Sequence, residues 1–324
     1  MCFAYLDFYS LYEIFYCLNQ RFKQLIQYET NIHINLNSIP SRKFLTFCFQ
    51  INQCIKTSQN YCLSIVANDK YRLNLILEDD LFKDTFSKLK SLSLSTVDAG
   101  TIHSLIFNKT IKLYQRLERL NLLHEISEKH EGSNDIDYLC SSLISSKMKS
   151  LKYLRLNFES YWCGCERGWD ARPNYVELEF NQLIVGNRSL SNLETLIIGN
   201  IPHNHDNDTT TKISFKTFNE KLLPCLPKLK NLIINAIHFD QKQYPRQNII
   251  YISPSTIERN PNIPLNLKLI KIWIDDKYAP DDVKTMRKFL RNFFMNNNSS
   301  DTTTIKIFYI NNKNILKRKV RHFN

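Results

Sequence analysis

The stretch LKNLII, Leu229 to Ile234, carries the pattern on which the fold turns. Leu232 and Ile234 fall on one side of an extended backbone and Ile233 on the other, the period of a strand. The same phrase, Leu-x-x-Leu-x-Leu with Ile allowed, recurs as LKSLSL from Leu89, LERLNL from Leu117, LKYLRL from Leu151, LETLII from Leu193 and LKLIKI from Leu267. In chain order the six copies begin 28, 34, 42, 36 and 38 residues apart. Such intervals hold a helix and two loops, and helices are legible over 99–115, 136–148, 215–223 and 281–294. Asp281 and Asp282 in its first turn mark the last of these. Strand, return helix and parallel strand, repeated, make an α/β solenoid whose units bury a shared core. Weaker strands bracket the six, at 31–36, 61–66 and 304–310. The alternative is an ordinary doubly wound α/β domain in which the leucine spacing is coincidental.

Composition narrows what such a chain does. Its 324 residues carry a net charge of +12 and are 43% hydrophobic and 23% charged, enough to build a core and unlike a disordered chain. Only 6 glycines are present, at 100, 132, 164, 168, 186 and 199, against 34 asparagines. No phosphate loop, dinucleotide turn or nucleophile elbow can be written from those positions, which excludes the common nucleotide-dependent enzymes. Asparagine tolerates left-handed turns better than most residues and can stand in for glycine between units.

The nine cysteines are scattered and odd in number, as free thiols in a reducing compartment would be. No run of 18 apolar residues is long enough to cross a membrane. The apolar N-terminus is interrupted by Asp7 and Glu13 and lacks a basic leader region. A cytoplasmic or nuclear protein is expected, without a membrane partner.

Residues 3–27 read as two short helices, with Leu6, Leu11, Ile14, Phe15, Leu18, Phe22 and Leu25 spaced three or four apart. Asp7 or Ser10 can cap the first, and Asn19 marks a break before the second. The order Tyr5-Leu6-Asp7, Leu11, Phe15, Leu18-Asn19, Arg21-Phe22 and Leu25-Ile26 resembles the second half of an F-box. The leucine-proline-x-glutamate helix that opens that motif has no counterpart here.

Together with the phrases behind it, which resemble leucine-rich repeats, this head looks like the F-box and leucine-rich-repeat family of substrate receptors in cullin-RING ubiquitin ligases. The resemblance implies a partial F-box over 1–28, a degenerate leucine-rich-repeat solenoid over 29–310 and a basic tail over 311–324. It also implies a Skp-family adaptor and a cullin as partners, with Leu6, Leu11, Phe15, Leu18 and Phe22 against the adaptor, and a protein substrate on the repeats. The other reading of the head is a helical cap closing the end of the solenoid.

If the phrase leucines point into the core, the residues between them point out. Ile197 and Ile233 then sit side by side, with Arg119, Tyr153, Arg155, Lys271 and Trp273 about them, the apolar centre and aromatic, basic rim of a protein-binding surface. An insertion at 157–190 folding over the two isoleucines is the alternative. Other candidates are weaker. Cys163 and Cys165 with His203 and His205 could hold zinc, but their spacing is unusual for it. HEISEKH, 124–130, places its second histidine off the helical face that a metalloprotease motif needs. The tail from Ile315, with Lys317, Arg318, Lys319 and Arg321, is a solvated end or an import signal. Neither an enzymatic constellation nor a cofactor site is expected, and the basic charge leaves nucleic-acid binding as a further alternative.

Overall fold

In the computed structural model each of the six phrases becomes a strand that begins two residues after its first leucine. The structure describes residues 7–16, 18–21, 24, 31–58, 61–78, 82, 86–126, 133–160, 176–183, 191–200, 211–239, 264, 266–274, 280–295 and 303–309. The first, fourth and sixth positions of all six phrases, from Leu89 to Ile272, are at most 2% exposed. Eighteen side chains thus occupy equivalent core positions, and the protein is a parallel-strand α/β fold. Two units are distinguished, Met1–His124 and Glu125–Asn324.

In the first unit β1 (Asn31–Asn35), β2 (Tyr61–Ala67), β3 (Ser91–Ser95) and β4 (Arg119–Ile126) lie in chain order, all parallel. The connections are the helices Ser41–Ser58, Lys70–Glu78 and Ala99–Ile106 and the short turn Leu113–Arg116. The helix expected over 99–115 is therefore divided. Asn108 Oδ1 accepts the N–H groups of Thr110 and Ile111, and Lys112 takes a left-handed φ of 54° before the chain turns again. Asp98 begins Ala99–Ile106 by accepting from the Thr101 N–H at 2.7 Å.

In the second unit β5 (Tyr153–Ser160), β7 (Thr195–Ile198), β9 (Asn231–His238), β10 (Leu269–Ile274) and β11 (Thr304–Tyr309) are parallel neighbours. Their first residues pair across the sheet, Tyr153 with Thr195, Thr195 with Asn231, Asn231 with Leu269 and Leu269 with Thr304. A shared hydrogen-bond motif pins this register. The Lys152 carbonyl accepts from the N–H groups of Glu194 and Thr195 at 2.8 and 2.9 Å. Glu194 does the same for Lys230 and Asn231, and Lys230 for Lys268 and Leu269. Lysine and glutamate at this second phrase position also pair through their side chains, Lys230 with Glu194 at 2.8 Å and, in the first unit, Lys90 with Glu118 at 2.9 Å. The Lys230 ammonium holds the Glu194 carboxyl below the usual carboxylate range. Both pairs are solvent-exposed, so they bias register more than they stabilise.

Helix Ser133–Ile144 and helix Pro280–Met295 belong to the second unit, close to the expected 136–148 and 281–294. The stretch 215–225 is helical but irregular. It widens over Phe218–Leu222, where the Leu223 N–H reaches back to the Phe218 carbonyl, and tightens at Pro224, which has no N–H to donate. Phe215, Phe239, Phe289 and Phe293 pack ring on ring between this stretch, the end of β9 and helix Pro280–Met295.

Two short strands were not legible, β6 (Val176–Glu177) and β8 (Thr211–Ser214). β7 stops at Ile198, and beyond it β8 pairs with the later part of β9 through Ile213 and Ile237. The change happens at Gly199, whose φ is +77°. Thr211 bridges to β5, its Oγ1 accepting from the Phe158 N–H at 2.6 Å and donating to the Phe158 carbonyl at 3.0 Å.

Candidate functional site

The outward face of the second unit follows directly from its register. Arg155 pairs with Ile197, Ile197 with Ile233, Ile233 with Lys271 and Lys271 with Lys306, so the five form one row across the strands. The row before it reads Tyr153, Thr195, Asn231, Leu269 and Thr304. Ile197 and Ile233 are each partly exposed at the centre of the row, and Lys306 is exposed. Further along, Trp273 stacks on Phe308 with ring centroids 4.6 Å apart. Arg155 is steadied by a hydrogen bond from Nη2 to Asn200 Oδ1. Asn235 Nδ2 donates to the Gly199 carbonyl at 2.6 Å.

Six of the seven residues expected on the binding face thus share one surface. Arg119 belongs to the first unit, where it stands opposite Ser91 on β4. Lys306 and Phe308 were missed because β11 carries no leucine phrase. Its own alternation, TIKIFY, held the signal.

At the head, helix Phe8–Phe15 is capped by Asp7, which accepts from the Ser10 N–H. Phe8, Tyr9 and Tyr12 pack on Phe47 of helix Ser41–Ser58, two of them edge-on at 5.2 and 5.9 Å. Glu13 pairs with Lys43 at 2.5 Å. Leu11 is buried in this packing and Phe15 is partly covered. Among the described residues of the head, the apolar groups left outside are Ile14, 52% exposed, and Leu18, 61% exposed. Of the other residues expected against an adaptor, Leu6 and Phe22 lie outside the described residues.

The cysteines among the described residues, Cys48, Cys54, Cys62, Cys140 and Cys225, are buried free thiols. Burial pushes the Cys48 thiol up to about 12, with nearby Arg72 pulling weakly the other way. The Cys62 and Cys140 thiols are also raised well above the ordinary value by burial, the latter further by Asp137. A thiol whose pKa lies far above the solution pH is protonated and non-nucleophilic. Treating the folded protein with iodoacetamide at pH 8 is therefore expected to leave Cys48, Cys62 and Cys140 unmodified by peptide mass spectrometry until denaturant is added. Rapid labelling of any of the three would show that its burial is not maintained.

Cys163, Cys165, His203 and His205 lie outside the described residues, as does the basic tail. Among the described residues no group of three or more His, Cys, Asp or Glu is placed to hold a metal ion. His124 lies in β4, in extended backbone where a metalloprotease motif needs a helix. No helix among the described residues is long and apolar enough to cross a membrane. No protein-family model matches this chain, and no curated protein or solved structure is significantly similar to it.

Proposed function

We propose that the chain is a non-catalytic protein receptor of the leucine-rich-repeat kind, with an F-box-like head that joins a cullin-RING ubiquitin ligase. The observation that carries the receptor reading is the row Arg155, Ile197, Ile233, Lys271 and Lys306, an apolar centre between basic ends. Such a patch suits a protein partner, since apolar side chains give area and the flanking charges give orientation. Adaptor docking is supported by Ile14 and Leu18, which the head leaves exposed while Phe8, Tyr9, Leu11 and Tyr12 are buried.

The head is tested by capture of purified Skp-family adaptor. Leu18→Asp is expected to reduce capture at least tenfold while leaving the unfolding midpoint unchanged, because the side chain makes few contacts to lose. Leu11→Asp would not discriminate, since its buried side chain supports the head itself. Undiminished capture by the Leu18→Asp, Ile14→Asp double variant would remove the adaptor from the proposal. The packing of Phe8, Tyr9 and Tyr12 on Phe47 favours a second reading, a helical cap without an adaptor. Under it, deletion of 1–28 lowers stability and no adaptor is captured even by the unaltered chain.

A further inference from the structure

We infer that the partner of the second unit's face is an extended acidic segment of the form acid-x-apolar-x-acid, running across the strands. The inference rests on the receptor reading above and adds the chemical class of what is received. Three groups in the two rows that the register defines are charged, Arg155, Lys271 and Lys306, and all are cations. The two rows of five contain no carboxylate, and Glu159, which follows Asn157 by two on β5, lies beyond both. This asymmetry is local. At the second phrase position of the same sheet, Glu194 sits against Lys230 and the charges are paired.

The spacing of the row sets the spacing of the ligand. Neighbouring strands are about 4.8 Å apart, so Arg155 and Lys271, three strands apart, are separated by about 14 Å. Alternate residues of an extended chain lie about 6.8 Å apart on one side. Carboxylates at positions i and i+4 therefore match the Arg155 to Lys271 span at about 14 Å. The side chain at i+2 falls about 7 Å from Arg155, between Ile197 and Ile233. An apolar group there is desolvated against two isoleucines while the flanking acids meet the cations. Lys306, one strand further, extends the field for an acid beyond i+4. A basic segment would meet like charge at both ends, and a neutral one would leave the cations without exchange for their lost water.

The experiment uses the full chain and a labelled peptide, Gly-Asp-Ser-Leu-Ser-Glu-Gly, followed by fluorescence anisotropy. Saturable binding is expected, weakened at least tenfold when both acids are replaced by lysine or the leucine by serine. Lys271→Glu and Ile233→Ser are each expected to weaken it about tenfold. Lys271→Glu should also gain affinity for the peptide whose second acid is lysine. Failure of the acidic peptide to bind overturns the inference. Equal binding of acidic and lysine peptides, still lost on Ile233→Ser, overturns the acidic class and leaves the receptor face standing. Binding indifferent to both Ile233→Ser and Lys271→Glu overturns the inference and the receptor face together. Displacement of the peptide by oligouridylate at low salt, with a steep loss of the oligomer's affinity as salt rises, overturns it in favour of nucleic acid.

Discussion

Leu232→Ala is expected to cost the second unit about 3 to 4 kcal/mol, while Ile233→Ser beside it costs about 1 kcal/mol. The two residues are neighbours in one strand and similar in volume, so the difference comes from the face each occupies. Leu232 is fully buried, with Leu196 beside it on β7 and Ile270 on β10, themselves fully buried. Removing its side chain leaves a cavity that the parallel strands on both sides cannot collapse into without losing register. Ile233 is partly exposed and its far end already meets solvent or a partner. Urea unfolding of the two variants, read as a shift in midpoint at constant slope, separates the cases. Equal losses would mean that the sheet does not have one buried and one available face. The same comparison makes Ile233→Ser usable in binding measurements, because the variant remains folded.

Gly199→Ala is expected to destabilise by about 2 to 3 kcal/mol, the next largest effect. At φ +77° the residue is in the left-handed region, where an L side chain costs about 1 to 2 kcal/mol. Space is lacking as well. A Cβ would lie 3.0 Å from the Thr211 carbonyl oxygen and 3.4 Å from the Asn235 Cβ. Thr211 cannot retreat freely, because its hydroxyl holds both the N–H and the carbonyl of Phe158. Either the alanine strains its own backbone or it pushes β8 away from β5. Gly100→Ala is the control. That glycine is in helix Ala99–Ile106 with only ordinary contact to Asp98 Oδ1 at 3.6 Å, so alanine should stabilise by about 0.5 to 1 kcal/mol. Thermal unfolding midpoints moving in opposite directions would bear out the pair, and a neutral Gly199→Ala would refute the strain at the β7 end.

What the sequence made legible depended on how many faces of each element are buried. β3 alternates between half-buried and buried residues because one face of its sheet is covered, and β10 does likewise. All four residues of β8 are buried, so no alternation marks it, and TKIS reads as loop. Helix Ser41–Ser58 was passed over although Phe44, Phe47, Cys48, Ile51 and Ile55, all buried, recur at helical spacing after Pro40. Its aromatic and β-branched content hid a signal that periodicity alone would have found. The break inside 99–115 was legible in principle too, since Asn108 is a residue whose side chain competes for backbone N–H groups. The outward face was readable because register follows from the phrase itself.

The equal depth at which all six phrases enter the core contrasts with their unequal intervals of 28 to 42 residues. Loop-closure entropy explains why the two coexist. Extending a closed segment from 28 to 42 residues costs only about 0.4 kcal/mol, because the penalty grows with the logarithm of length. Shifting one strand by a single residue would instead turn its whole buried set to solvent. Insertions between strands are thus nearly free, whereas insertions within a phrase are forbidden. Length variation in relatives of this chain should collect in the connections and spare the six-residue phrases, so that the phrases act as fixed stitches in a fabric whose loops can be let out.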